Sequence, residues 1–97
     1  MVYTRSLELL TGGQSESVAV SGTSAQSSAY TVPELVVTVL VHTFVRQGTN
    51  PTALANGTDQ LLLGPNSYRL SGITSGNKLA FITADASSST VYITPSS

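Results

Sequence analysis

The chain contains no cysteine, so no disulfide can staple the fold and no thiolate can hold a metal. Tryptophan is absent too, and His42 is the single histidine. One imidazole and five scattered acids, Glu8, Glu16, Glu34, Asp59 and Asp85, offer no spacing with ligand meaning for zinc or calcium. Charge is scarce altogether. Arg5, Arg46, Arg69 and Lys78 complete a charged set of only 9% of residues, against roughly 25% in typical soluble domains. Four dispersed cations cannot supply the counterion release on which nucleic-acid affinity depends, and a net charge of -1 favours association over repulsion. Nor is there a run approaching the roughly 20 apolar residues of a spanning helix. The longest apolar-rich stretch, residues 35–45, is broken by Thr38, His42 and Thr43. The start, Met1-Val2-Tyr3-Thr4-Arg5, lacks the basic and apolar regions of a secretion signal, so the expected place of synthesis and residence is a cytoplasm.

What is present is the grammar of strands and turns. Serine and threonine number 28, and with eight glycines they punctuate short runs of valine, leucine, isoleucine and tyrosine. No segment holds an i, i+3, i+4, i+7 apolar pattern behind a cap, so helices are not expected. Runs at 2–10 and 16–20, joined across Thr11-Gly12-Gly13, predict an N-terminal hairpin. Residues 22–28 read as a loop, and Pro33 marks an edge or the start of the next strand. Four short strands are expected at 59–63, 68–72, 78–84 and 90–94. With no repeat and no linker, residues 1–97 predict one all-β domain, a β-sandwich or jelly roll of seven to eight short strands.

The run 34–47 is the most informative segment. Its valines predict one long strand. Leu35, Val37, Val39, Val41 and Val45 share one face with Thr43 and are expected in the core. The other face reads Glu34, Val36, Thr38, Leu40, His42, Phe44, Arg46. Such mixed character suits a surface covered by a neighbouring loop or another subunit.

Catalysis needs a nucleophile, a base and a group that orients the base. His42 is the one obvious base, it lies mid-strand between Val41 and Thr43, and no G-x-S-x-G elbow exists. It reads as a packing or interface residue. Asp59 and Asp85 read as turn formers that bond nearby backbone. The glycine clusters are too far from any helix start to cradle phosphate. Asn56-Gly57-Thr58 reads as a turn with positive φ at glycine rather than a glycosylation site. No enzyme, no cofactor and no metal is expected.

The final third carries a resemblance. The segments Gly57-Thr58-Asp59-Gln60-Leu61-Leu62-Leu63, Tyr68-Arg69-Leu70, Asn77-Lys78-Leu79-Ala80-Phe81-Ile82-Thr83-Ala84 and Thr90-Val91-Tyr92-Ile93-Thr94-Pro95 look like those of small virion structural proteins of tailed bacteriophages, most of all capsid cement or decoration proteins. The likeness covers residues 57–95. It implies a jelly-roll-like module made in the host bacterial cytoplasm and built into the virion. There it would sit at local threefold positions as a homo-oligomer, expected to be a trimer, and bridge major capsid protein subunits. The contacts expected from alternation are Leu7, Leu9, Val36, Leu40, His42, Phe44 and Arg46. Alternatives are a neck, tail or fibre component, or a carbohydrate-binding attachment module presenting Tyr30, Tyr68 and Tyr92 on one face.

Overall fold

In the computed structural model, residues 15–96 are described. They form eight strands and no helix. The strands are β1 (Glu16–Val20), β2 (Ala25–Gln26), β3 (Glu34–Val39), β4 (Thr43–Gly48), β5 (Gln60–Leu62), β6 (Asn66–Leu70), β7 (Lys78–Thr83) and β8 (Ser89–Ser96). Two four-stranded sheets result, ordered β1-β8-β3-β6 and β2-β7-β4-β5, and every pairing is antiparallel. Strands that follow one another in sequence as β1–β2, β3–β4, β5–β6 and β7–β8 lie in opposite sheets. That is the doubly wound Greek-key order of a jelly-roll sandwich.

Period-2 alternation sends one face of each strand inward. Leu35, Val37 and Val39 of β3, Val91 and Ile93 of β8, Val18 and Val20 of β1, and Leu79 and Phe81 of β7 are all buried. β-branched side chains dominate this list because they lose little rotamer freedom on a pleated surface. Among the described residues, the buried polar ones are Ser27, Thr43 and Thr83. Each is bonded. Thr43 Oγ1 donates to the Val41 carbonyl at 2.8 Å, Thr83 Oγ1 donates to the Ser87 carbonyl at 2.8 Å, and Ser27 Oγ accepts from Leu79 N at 3.0 Å. Hydroxyls can thus occupy core positions without leaving an unpaired group.

The run 34–47 is not one strand. It breaks at residues 40–42, and β3 belongs to one sheet while β4 belongs to the other. A fourteen-residue strand would extend about 46 Å at ~3.3 Å per residue, but the longest dimension of the fold is 35 Å. The chain therefore turns a corner, and inward alternation resumes after it at Thr43 and Val45, both buried. Val41, expected in the core, is only half-buried because it occupies the corner itself. Of the other expected elements, the polar stretch 22–28 contains the short strand β2, and the expected strand 2–10 lies outside the described residues.

Backbone packing clamps the corner. A Cβ placed on Gly64 would stand 2.5 Å from the Val41 carbonyl carbon and 2.6 Å from its nitrogen, well inside van der Waals contact. Only glycine lets the 63–65 turn lie against the corner. Gly64→Ala is expected to cost about 2 kcal/mol by overpacking, lowering Tm by roughly 10 °C in a thermal melt followed by circular dichroism.

Candidate functional site

Four turns meet at one end of the sandwich: residues 21–24, 40–42, 63–65 and 84–88. Thr83 N donates to the Ser21 carbonyl and Ala84 N to the His42 carbonyl, both at 2.9 Å. Gly64 N donates to His42 Nδ1 at 3.0 Å. Since Nδ1 accepts, the neutral ring carries its proton on Nε2. Asp85 caps its own turn, accepting from Ser87 N at 3.1 Å and from Ser87 Oγ at 2.6 Å. These bonds hold the Asp85 carboxyl below the usual carboxylate range. On this bonded base stand two exposed leucines, Leu40 at 46% and Leu63 at 52%. A shallow cavity of about 270 Å³ lies among Leu40, Val41, His42, Gly64, Ala84 and Asp85.

The residues expected to share one contact face are divided by the corner. Val36 lies on the outer side of the β1-β8-β3-β6 sheet, opposite Thr94 and Arg69. Phe44 and Arg46 lie on the outer side of the other sheet, opposite Ile82 and Ala80. Leu40 and His42 sit at the corner between them. The expected single face is therefore corrected to three separate places, because the parity argument assumed an unbroken strand. Leu7 and Leu9 lie outside the described residues.

A loop covers part of the outer face that carries Arg46. The segment 49–59 folds across it, burying Pro51, Ala53 and Ala80. Arg46 Nε meets Asp59 Oδ1 at 2.6 Å with the Asp59 side chain 4% exposed, and Asp59 Oδ2 accepts from Leu54 N at 2.7 Å. Gln26 Nε2 donates to Asn50 Oδ1 at 2.9 Å and to the Pro51 carbonyl at 2.8 Å, and Ala53 N donates to Ser24 Oγ at 2.8 Å. Arg46 is thus a tie for this loop. Asp59 and Asp85 bond nearby backbone as turn residues should. Gly57 has φ 86°, and Asn56 Oδ1 accepts from Thr58 N and Oγ1, which makes 56–58 the expected turn.

The three tyrosines do not form a sugar platform. Tyr92 is 50% exposed, but the Tyr68 hydroxyl is engaged with the Leu63 carbonyl and amide, and Tyr30 is buried. At the end of the sandwich opposite the corner, the Tyr30 hydroxyl donates to Glu16 Oε1, while Ser28 N and Oγ reach the same carboxylate at 3.0 and 3.3 Å. No alternation marks Tyr30 as a core residue, because it stands in a short run beyond the polar stretch 22–28. Leu63 was missed at the exposed end, although the triplet Leu61-Leu62-Leu63 could have flagged it: alternation with Leu62 inward leaves both neighbours outward.

Comparison with protein-family models, curated proteins and solved structures finds no match.

Burial, reinforced by the Glu16 carboxylate, pushes the Tyr30 phenol far above its usual value. A raised folded value means that the contribution is complete below the unfolded tyrosine value of about 10 and is lost as pH rises beyond it. Unfolding free energy from urea titrations is expected to fall more steeply above about pH 10 in the parent than in Tyr30→Phe. At neutral pH, Tyr30→Phe should cost about 1.5 kcal/mol for the bond to a charged acceptor.

Proposed function

We propose that this chain is a non-enzymatic virion structural protein that decorates a capsid, bridging neighbouring major capsid subunits as a homo-oligomer. The observation that carries this reading is the end of the sandwich where the four turns meet. Leu40 and Leu63 are exposed there on backbone that is already bonded and packed, so docking them orders little and removes apolar surface from water. The turns at that end carry Ser21, Thr23, Ser24, Asp85, Ser87 and Ser88, polar residues of the kind that rim the apolar centre of a protein interface. The low charge of the chain and the likeness of residues 57–95 to cement proteins support the same reading. The carbohydrate-binding alternative loses its support with the burial of Tyr30.

Copy number separates the places in a virion. Quantitative mass spectrometry of purified virions is expected to find about one copy per major capsid subunit. A few copies per particle would assign the chain to a neck, tail or fibre, and absence from virions would refute the proposal. The double substitution Leu40→Asp with Leu63→Asp should leave Tm within a few degrees of the parent, since both side chains are exposed surface positions. Binding to capsids that lack the protein should fall at least about tenfold, which is about 1.4 kcal/mol, in a co-sedimentation assay.

A further inference from the structure

A groove of about 440 Å³ opens along the edge of the sandwich where β5 and β6 end their sheets. Its lining joins Leu61, Tyr68 and Leu70 to the polar Arg46, Gln60 and Arg69, and it reaches the core side chains Leu62, Ile73 and Leu79. β5 accompanies only residues 43–45 of β4, so no described strand lies beside residues 46–48 on that side. β6 likewise has no described strand on its outer edge. An apolar groove between two open strand edges has the form of a site for an added strand, whose backbone bonds the edge while alternate side chains enter the groove.

We propose that the occupant is residues 2–10 of a second copy of this chain, so that each copy donates its N-terminal run to the groove of the next. This goes beyond the capsid reading and stands without it. The run alternates, with Tyr3, Arg5, Leu7 and Leu9 on one face and Val2, Thr4, Ser6, Glu8 and Leu10 on the other. As a strand it would be about 30 Å long, close to the 35 Å dimension of the fold. Leu7 and Leu9 on a single face supply the side chains that the groove lacks.

Geometry places the donor on another copy. The chain reaches the fold at Ser15, beside β1, which is the opposite edge of its sheet from β6. A strand laid outside β6 lies four spacings from β1, about 19 Å, whereas the five steps from Leu10 to Ser15 span at most about 18 Å when straight. The path is also longer than straight. Segments 28–33 and 71–77 are tied across that end by Ile73 N to the Pro33 carbonyl at 3.1 Å, Gly76 N to the Tyr30 carbonyl at 2.7 Å and Tyr30 N to the Asn77 carbonyl at 2.9 Å. The intact run cannot fill its own groove. Folding back on β1 as a hairpin would set Leu7 and Leu9 beyond the edge of the facing four-stranded sheet, with little to pack on. Head-to-tail donation closes a ring or grows a chain, according to the rotation between copies.

The test is the mass of the full-length chain in sedimentation velocity. The parent is expected to exceed the 10.0 kDa of one copy. Leu7→Asp with Leu9→Asp spoils the donor, and Leu61→Arg spoils the acceptor. Each variant alone should sediment as a monomer, and a mixture of the two should give a heterodimer of twice 10.0 kDa and nothing larger, because one intact donor meets one intact groove. Ser71→Arg, an exposed groove position, replaces Leu61→Arg if circular dichroism shows the latter unfolded. A monomeric parent, variants that keep the parent mass, or a mixture that stays monomeric would overturn the proposal.

Discussion

The structure depends on one backbone contact, the approach of Gly64 to Val41 at the corner between β3 and β4. An apolar run too long for the sandwich must change sheets, and it can do so only where another turn packs against the bend without a side chain between them. His42 completes the junction by accepting the Gly64 N–H and offering its carbonyl to Ala84. Through these contacts the corner joins three of the four turns at that end, and Ser21 brings in the fourth by bonding Thr83. A histidine that looks like a candidate base in sequence is thereby a joint of the fold.

The scarcity of charge shapes the rest of the molecule. With few ion pairs available, hydroxyl and amide side chains carry out the polar fastening. Ser24, Gln26 and Asn50 hold the 49–59 loop on the outer face of one sheet, and the Arg46–Asp59 pair is an exception whose buried acid also accepts from backbone. At the far end, Glu16 gathers Tyr30 and Ser28. Such fastenings are short-range and leave the exterior almost neutral, a surface suited to standing contacts with other proteins.

Among the described residues, the leucines at the corner end and the groove beside β5 and β6 are apolar features outside the core, at different places on the sandwich. The leucines at the corner end are presented on a bonded base, which suits docking onto a preformed partner surface. The groove beside β5 and β6 instead brings open strand edges together with Leu61, Tyr68 and Leu70 above buried core side chains, which suits insertion of a strand. On the proposed decoration role, the first would serve contact with the lattice and the second contact among copies of the chain. A head-to-tail ring of three would meet the threefold expectation, since heterologous contacts close whenever the rotation is a third of a turn.

The sequence by itself determined the all-β class and most of the inward-facing residues, because period-2 alternation and turn chemistry are local properties of the chain. β1, β7 and β8 were legible within a residue or two for that reason. The turn at 56–58 and the backbone-bonding roles of Asp59 and Asp85 followed from the same short-range chemistry. Which strands share a sheet, the break at residues 40–42 and the burial of Tyr30 were decided only by the tertiary structure. The single face inferred from alternation is divided with them: parity shows which way a side chain points from its strand, but not which sheet that strand has joined. Sheet membership depends on a close approach between residues 41 and 64, far apart in the chain, and no local pattern records it.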